Sequence, residues 1–335
     1  MQGSSVDEYR APLFVAWQLT NRCQARCLAC CEDSGPDRAW RDELSRDEAL
    51  TIARALADFG IPYAAFGGGE PLGVAFCWEL FAALADAGVL LKIETDGSRI
   101  DDAAADRLAA LEVQCVQISV DGPSATTHER VRPGSSFTAA TSAIERLVAR
   151  GLSPQLVFVP TRFNIHEIVQ TFELAVALGC GAFVTGPLMR IGRAASDWQR
   201  IACSDAQWSQ AVERLSERAT SMQSPIALSI YPWNIVTEME RRLDSPQAML
   251  LIVPNGHVKL LNALPFTVAD LRRDSVEAAW DAYRNGWRDQ RVRTFVSGCR
   301  TDPGRLRYAN ETWLPNRWDA GSYEGGMRAD PRPGV

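Results

Sequence analysis

Three thiols fall within eight residues of this 335-residue chain, in the stretch CQARCLAC at positions 23 to 30. Cys23, Cys27 and Cys30 follow a C-x3-C-x2-C spacing, and thiolates spaced this way on an irregular loop can converge on one centre. Soft sulfur ligands select zinc, copper(I) or an iron-sulfur cluster. Structural zinc takes four ligands, and the three histidines of the chain, His128, His166 and His257, lie at no zinc-finger spacing from these cysteines. Cys31, adjacent to Cys30, would have trouble pointing at the same metal. A 4Fe-4S cluster held by three cysteines leaves one iron open, as a catalytic metal site requires, and the missing fourth ligand would then be a cofactor.

The chain has nine cysteines, an odd number, and its start MQGSSVDEYR lacks the charged and apolar regions of an export signal. Both features argue for reduced thiols and a cytoplasmic protein. Cys77, Cys115 and Cys180 lie in apolar surroundings and read as small buried hydrophobes. No catalytic residue is assigned. Cys203 and Cys299, as thiols able to donate a hydrogen atom, and His128 are the candidates.

The elements that must position the cysteine loop follow from an alternation of short apolar runs and helical patterns. LFVAWQLT (13 to 20) reads as a strand, and SRDEALTIARALADFG (45 to 60) as a helix with a Ser45 to Glu48 capping box and a stop at Gly60. Further strands are IPYAAFGGG, VLLKIETDG, VQCVQISVDG, PQLVFVPT and GAFVTGP, separated by helical segments. Six strands, each before the last followed by a helix, imply parallel βα units. The expected fold is α/β, a partial (β/α)6 TIM-like barrel with a small α+β C-terminal extension. The barrel is assigned to residues 1–195, the extension to 196–300, and 301–335 to a tail or lid. Function in such folds gathers at the carboxyl ends of the strands, where each unusual motif here lies.

The order and content of these motifs resemble the radical S-adenosylmethionine (SAM) superfamily. The C-x3-C-x2-C loop after the first strand is similar to that family's cluster loop, which implies one 4Fe-4S cluster on Cys23, Cys27 and Cys30, with SAM completing the open iron. The resemblance implies reductive cleavage of SAM to a 5'-deoxyadenosyl radical that abstracts a substrate hydrogen. GGGEP (67 to 71) resembles the family's GGEP motif, and this gives Gly68, Gly69 and Glu70 a place beside the methionine group of SAM, where a side chain at Gly69 would occupy its space. ETDGS (94 to 98) and QISVDG (117 to 122) place Thr95, Ser119 and Asp121 on the ribose or substrate side. Arg132 would reach the SAM carboxylate, and backbone near Leu188 in GPLMRIGRA (186 to 194) would meet adenine. Two departures stand out: Ala29 replaces the usual aromatic before the third cysteine, and Pro133 separates Arg132 from Gly134.

The second half resembles the SPASM or twitch extension, through IVPNGHVKLL (252 to 261) and DLRRDSVEAAW (270 to 280), but lacks the cysteines that would hold an auxiliary cluster. A degenerate extension favours redox-neutral rearrangement, epimerisation, decarboxylation or coupling. With no peptide-recognition domain before Pro12, the expected substrate is a small metabolite, such as a sugar, nucleoside or amino-acid-derived intermediate. The alternatives are a maturase of ribosomal peptides and a non-catalytic iron-sulfur or SAM-binding protein. A flavodoxin or ferredoxin is the expected electron donor. The net charge of -6 offers no basic field for nucleic acid, and no apolar run is long enough to span a membrane.

Overall fold

The computed structural model describes residues 6–315 and Trp318. Local signals set its elements. The helix Arg46–Phe59 begins at Ser45, whose hydroxyl accepts from the Glu48 N–H while the Glu48 carboxylate accepts from the Ser45 N–H. It ends at Gly60 in the left-handed region, with φ of 85°.

Ten strands form one sheet: β1 (Phe14–Thr20), β2 (Tyr63–Gly68), β3 (Leu90–Thr95), β4 (Cys115–Ser119), β5 (Gln155–Phe158), β6 (Ala182–Thr185), β7 (Ala227–Ile230), β8 (Met249–Ile252), β9 (His257–Lys259) and β10 (Thr267–Asp270). Strands β1 to β6 pair as parallel neighbours in chain order, and β7 continues parallel beside β6. β8 pairs parallel with the other edge of β1, and β9 and β10 extend it as antiparallel neighbours. The sheet is open, with β7 and β10 at its edges.

This is the expected partial barrel with two more parallel strands than the six read from the sequence. Both added strands fall within 196–300, assigned to the extension, yet β7 and β8 lengthen the same sheet at both ends. The physical reason is burial: all four residues of β8 are buried, and such a strand needs hydrogen-bonded neighbours as well as cover, which the free edge of β1 supplies. The helices Ala125–Val131, Ile235–Asp244 and Gln290–Thr301 are additions to the expected elements. In the tail, Pro303–Tyr308 forms a 3-10 helix with Leu306 fully buried, and Trp313 bridges to Phe266. The rest of the expected tail, apart from Trp318, lies outside the described residues.

Alternation along the strands divides the sheet into two faces. Trp17, Phe66, Ile93, Ile118 and Phe158 are buried under the helices, with the Phe66 ring 5.9 Å from Trp17 and 4.8 Å from Phe81. Lys92, Glu94, Gln117, Ser119 and Val157, at the alternate positions, line the cavity on the inner face. A second aromatic cluster, Phe266, Phe295 and Trp313, fixes the C-terminal half with ring centroids 5.5 to 5.8 Å apart. Replacing Phe66 with alanine removes the ring between Trp17 and Phe81. Urea denaturation of Phe66→Ala should therefore show a loss of about 3–5 kcal/mol, with no change in the denaturant slope.

Candidate functional site

Cys23, Cys27 and Cys30 lie on the irregular loop that leaves β1, and all three line one cavity of about 560 Å³ at the carboxyl ends of the strands. The loop is tied to β2 by main-chain bonds that continue the parallel pairing: Gly69 N–H to Thr20 O at 2.6 Å and Glu70 N–H to Arg22 O at 3.0 Å. The glycines of the GGGEP turn permit this approach. A Cβ at Gly68, which has φ of 111°, would sit 2.5 Å from the Thr20 oxygen, and one at Gly69 would collide with the Arg22 carbonyl. The space a side chain at Gly69 would take is therefore that of the cysteine loop's own backbone, not only the SAM side expected from the motif.

Glu70 is 2% exposed. Its carboxylate accepts from the Thr95 hydroxyl at 2.8 and 2.9 Å, from Leu72 N–H at 3.2 Å and from Asp96 N–H at 3.1 Å. Burial, and then the neighbouring Asp96 carboxylate, push Glu70 up to about 8. Asp96 in turn accepts from the Gln24 side-chain amide of the cysteine loop and from Ser98 N–H at 2.9 Å.

Asp121 is almost fully buried and receives Arg132 Nε at 2.6 Å and Val159 N–H at 2.7 Å. Arg132 Nη1 also lies 3.5 Å from the Cys27 sulfur. Burial works against the charge on this guanidinium, yet Asp121 and Cys27 hold its pKa above the ordinary arginine value. The intervening Pro133 does not break the motif: its carbonyl accepts Arg26 N–H at 2.7 Å, so the turn also pins the cysteine loop.

The structure gathers Gly68, Gly69, Glu70, Thr95, Ser119 and Arg132 around the cavity with the three cysteines. Asp121 stands behind Arg132. The chain around Leu188 reaches the cavity, with Gly186, Pro187 and Met189 in its lining, while the Leu188 side chain packs with the cluster that includes Ala194, Leu28 and Ala29. Cys203, Cys299 and His128 do not line it. Cys299 is fully buried in the helix Gln290–Thr301, Cys203 packs against the core, and His128 is held by Asp121 N–H at 3.2 Å and Ser135 Oγ at 3.1 Å. Cys115 is only half-buried, on the inner-face register of β4, while Cys77 and Cys180 are buried as expected. The sequence reading missed Lys92, Glu94 and Gln117 on the inner wall, and Tyr231, Trp233 and Glu238 at its rim. A signal for the first three was present, because polar side chains recur every second residue within otherwise apolar strands.

The donor set fits an iron-sulfur cluster better than a single metal ion. Among the described residues, no three His, Cys, Asp or Glu side chains are grouped to hold one metal ion. A four-iron cluster takes each thiolate on a different iron, so thiols set around the wall of one cavity suit it. As free thiols they are hard to ionise: burial pushes Cys23 up to about 12 and Cys27 up to about 11, the latter opposed by Arg132. Iron would replace the missing positive charge. The paired carboxylates of Glu70 and Asp96 fit a cationic amino group in the same way.

Two outcomes follow from this geometry. Gly69→Ala should lose iron retention together with SAM binding, because the added methyl meets the cysteine loop; iron analysis and equilibrium dialysis of SAM check this. His128 is fully enclosed, and burial lowers its pKa to about 4, below the ordinary value of 6.5. The unfolded chain therefore binds the extra proton between these values, and stability falls as pH drops through that window. The contribution lost is about 3 kcal/mol, so urea midpoints of His128→Gln should vary less than wild type between pH 6.5 and 4.

Residues 17–175 match the family model described as the Radical SAM superfamily. Mycofactocin maturase MftC of Mycobacterium ulcerans is 34% identical over 200 residues, which cover 59% of this chain and 53% of that protein. An AdoMet-dependent heme synthase of Methanosarcina barkeri is 32% identical over 200 residues, 57% of each chain. The chain thus spans little more than half the length of these relatives. Among solved structures, Streptococcus suis SuiB bound to its precursor peptide SuiA aligns with a TM-score of 0.70 at 14% identity, covering 84% of this chain and 67% of that one. Native anSMEcpe with bound AdoMet aligns with a TM-score of 0.61 at 14% identity, covering 82% of each chain. With the matched segment and the motifs on its strand ends, residues 17–175 form a radical SAM domain, of the superfamily whose enzymes work with a 4Fe-4S cluster and SAM.

Proposed function

We propose that this chain cleaves SAM reductively and directs the radical at a small polar substrate in the barrel lumen, in a redox-neutral reaction. The observation that carries the reading is the convergence of Cys23, Cys27, Cys30 and the GGGEP turn on one cavity whose inner wall is polar. When bound, the cluster and SAM supply a 5'-deoxyadenosyl radical that abstracts hydrogen. The chain's own residues divide the remaining work. Glu70 and Asp96 are suited to hold the SAM amino group, and Arg132 keeps positive charge beside the Cys27 sulfur. The assigned roles of Thr95, Ser119 and Asp121 toward ribose or substrate belong to the same reading.

The lumen argues for the substrate class. A closed TIM barrel fills its interior with branched apolar side chains. Here the inner wall carries Lys92, Glu94, Gln117 and Ser119, with Lys92 Nζ 2.7 Å from Glu94. Such groups select a hydrogen-bonding molecule and penalise one that leaves them unpaired. A sugar, nucleoside or amino-acid derivative meets this demand. A flavodoxin or ferredoxin would supply the electron. The segment 196–300, read as a degenerate SPASM-like extension, would hold no second cluster, since Cys203 and Cys299 are its only thiols.

A peptide is the second reading. It is favoured by the similarity to a mycofactocin maturase and by the fold shared with SuiB, solved with a precursor peptide.

Anaerobic reconstitution tests the assignment. We expect about four irons per chain and 5'-deoxyadenosine on reduction with dithionite, both lost in Cys23→Ala, Cys27→Ala and Cys30→Ala but retained in part by Cys31→Ala. About eight irons would reject the single-cluster reading, and a loaded cluster that yields no 5'-deoxyadenosine would point to a binding protein. Stimulation of 5'-deoxyadenosine formation by the dialysable fraction of a host extract supports the metabolite. Stimulation confined to the retained peptide fraction rejects it in favour of the peptide.

A further inference from the structure

The cysteine loop is gripped from outside the cavity by residues very distant in sequence. Arg193 Nη1 donates to the Cys27 carbonyl at 2.7 Å, Arg193 N–H to the Cys30 carbonyl at 3.0 Å, and Arg193 Nη2 to the Ser34 carbonyl at 2.5 Å. Gly192, with φ of 58°, lets this chain approach: a Cβ there would stand 2.5 Å from the Cys30 oxygen. The Cys31 carbonyl is taken by Asn310 Nδ2 at 2.8 Å, from the C-terminal segment 279 residues away. The same amide lies 3.5 Å from Glu32 Oε2.

Asn310 is itself held in place. Lys259 on β9 is 3% exposed, and its ammonium donates to the carbonyl of the preceding Ala309. Its charge also faces Glu32, on the same loop. Ala309 and Leu306 are fully buried, so the segment is anchored by packing as well. Neither Arg193, Lys259 nor Asn310 lines the cavity.

A trans peptide carries its carbonyl and the next N–H on opposite sides. Donors on the loop's carbonyls draw those negative oxygens away from the cavity and hold the loop in one conformation. In that conformation two donors reach the sulfurs: Ser34 N–H at 3.2 Å from the Cys30 sulfur, and the Arg132 side chain, whose Nη1 reaches the Cys27 sulfur. Hydrogen bonds to sulfur and exclusion of solvent set both the retention and the potential of a cluster.

We propose that Asn310, braced by Lys259, is a positioning residue for the cluster loop, so that the C-terminal segment governs how tightly the cluster is held and how readily it is reduced. This rests on the assignment of a cluster to Cys23, Cys27 and Cys30. Where an extension of this kind could supply auxiliary ligands, this chain instead uses its C-terminal segment to orient the loop of the first cluster.

The test uses reconstituted full-length protein and two readouts that do not depend on turnover: the rate of iron loss to a ferrous chelator, and the midpoint potential from an EPR-monitored redox titration. Asn310→Ala and Lys259→Met should each lose iron about tenfold faster than wild type, the lower end of the effect of outer-shell partners on metal affinity. Lys259→Arg, which keeps the charge, should restore slow loss. Asn310→Asp replaces the donor with a carboxylate and should move the potential to a more negative value. If Lys259→Met fails to fold by circular dichroism, the Asn310 pair still decides, since Asn310 is only half-buried. Wild-type iron loss and potential in both Asn310 variants would overturn the inference alone. A wild-type chain that loads no cluster would overturn the cluster assignment first, and the inference with it.

Discussion

The structure depends on satisfying the backbone of a loop that has almost no regular structure of its own. Buried main-chain groups must find partners, and the cysteine loop supplies only a few of them internally, such as Cys30 N–H to the Cys27 carbonyl. It borrows the rest from the whole barrel. The turn after β2 donates through Gly69 and Glu70, while the segment after β4 accepts through Val131 and Pro133. The turn after β6 donates through Arg193, and the C-terminal segment through Asn310. The thiols are therefore placed by the sheet order: a strand in the wrong position would leave a carbonyl of the loop without a donor. This also accounts for the glycines at the contact points, because backbone reaches backbone only where no Cβ intervenes.

Sequence pattern carried most of the barrel because each βα unit announces itself locally. Ser45 and Glu48 form the expected cap, and the strand starting at Phe14 alternates as expected. Pattern failed where the decisive partner is far away. β8 is an apolar run whose place beside β1 is fixed only by the free edge of a strand more than 200 residues earlier, a long-range choice that no local signal records. The family resemblance likewise pointed to the thiols, Glu70 and Arg132, which the fold gathers around one cavity. It did not find Asn310 or Lys259, since one amide and one lysine in a polar C-terminal stretch carry no periodicity. His128 shows the converse error: its residue type suggested chemistry, but full enclosure between Asp121 and Ser135 makes it part of the scaffold.

Charge within the site follows one rule, that a buried charge needs a partner of opposite sign. Arg132 meets Asp121 on one side and the Cys27 sulfur on the other, so one guanidinium serves both the scaffold and the ligand loop. Glu70 and Asp96 do not obey the rule between themselves. Burial and the neighbouring Asp96 carboxylate push Glu70 up to about 8 in consequence. An asparagine at position 96 would remove the conflict, since it brings no charge. The aspartate leaves a negative imbalance beside the GGGEP turn, and a cationic amino group arriving there would relieve it. On the proposed reading, then, the attraction that draws SAM to the loop would come partly from the repulsion between Glu70 and Asp96, with Asp96 raising the affinity of a position that Glu70 alone would define.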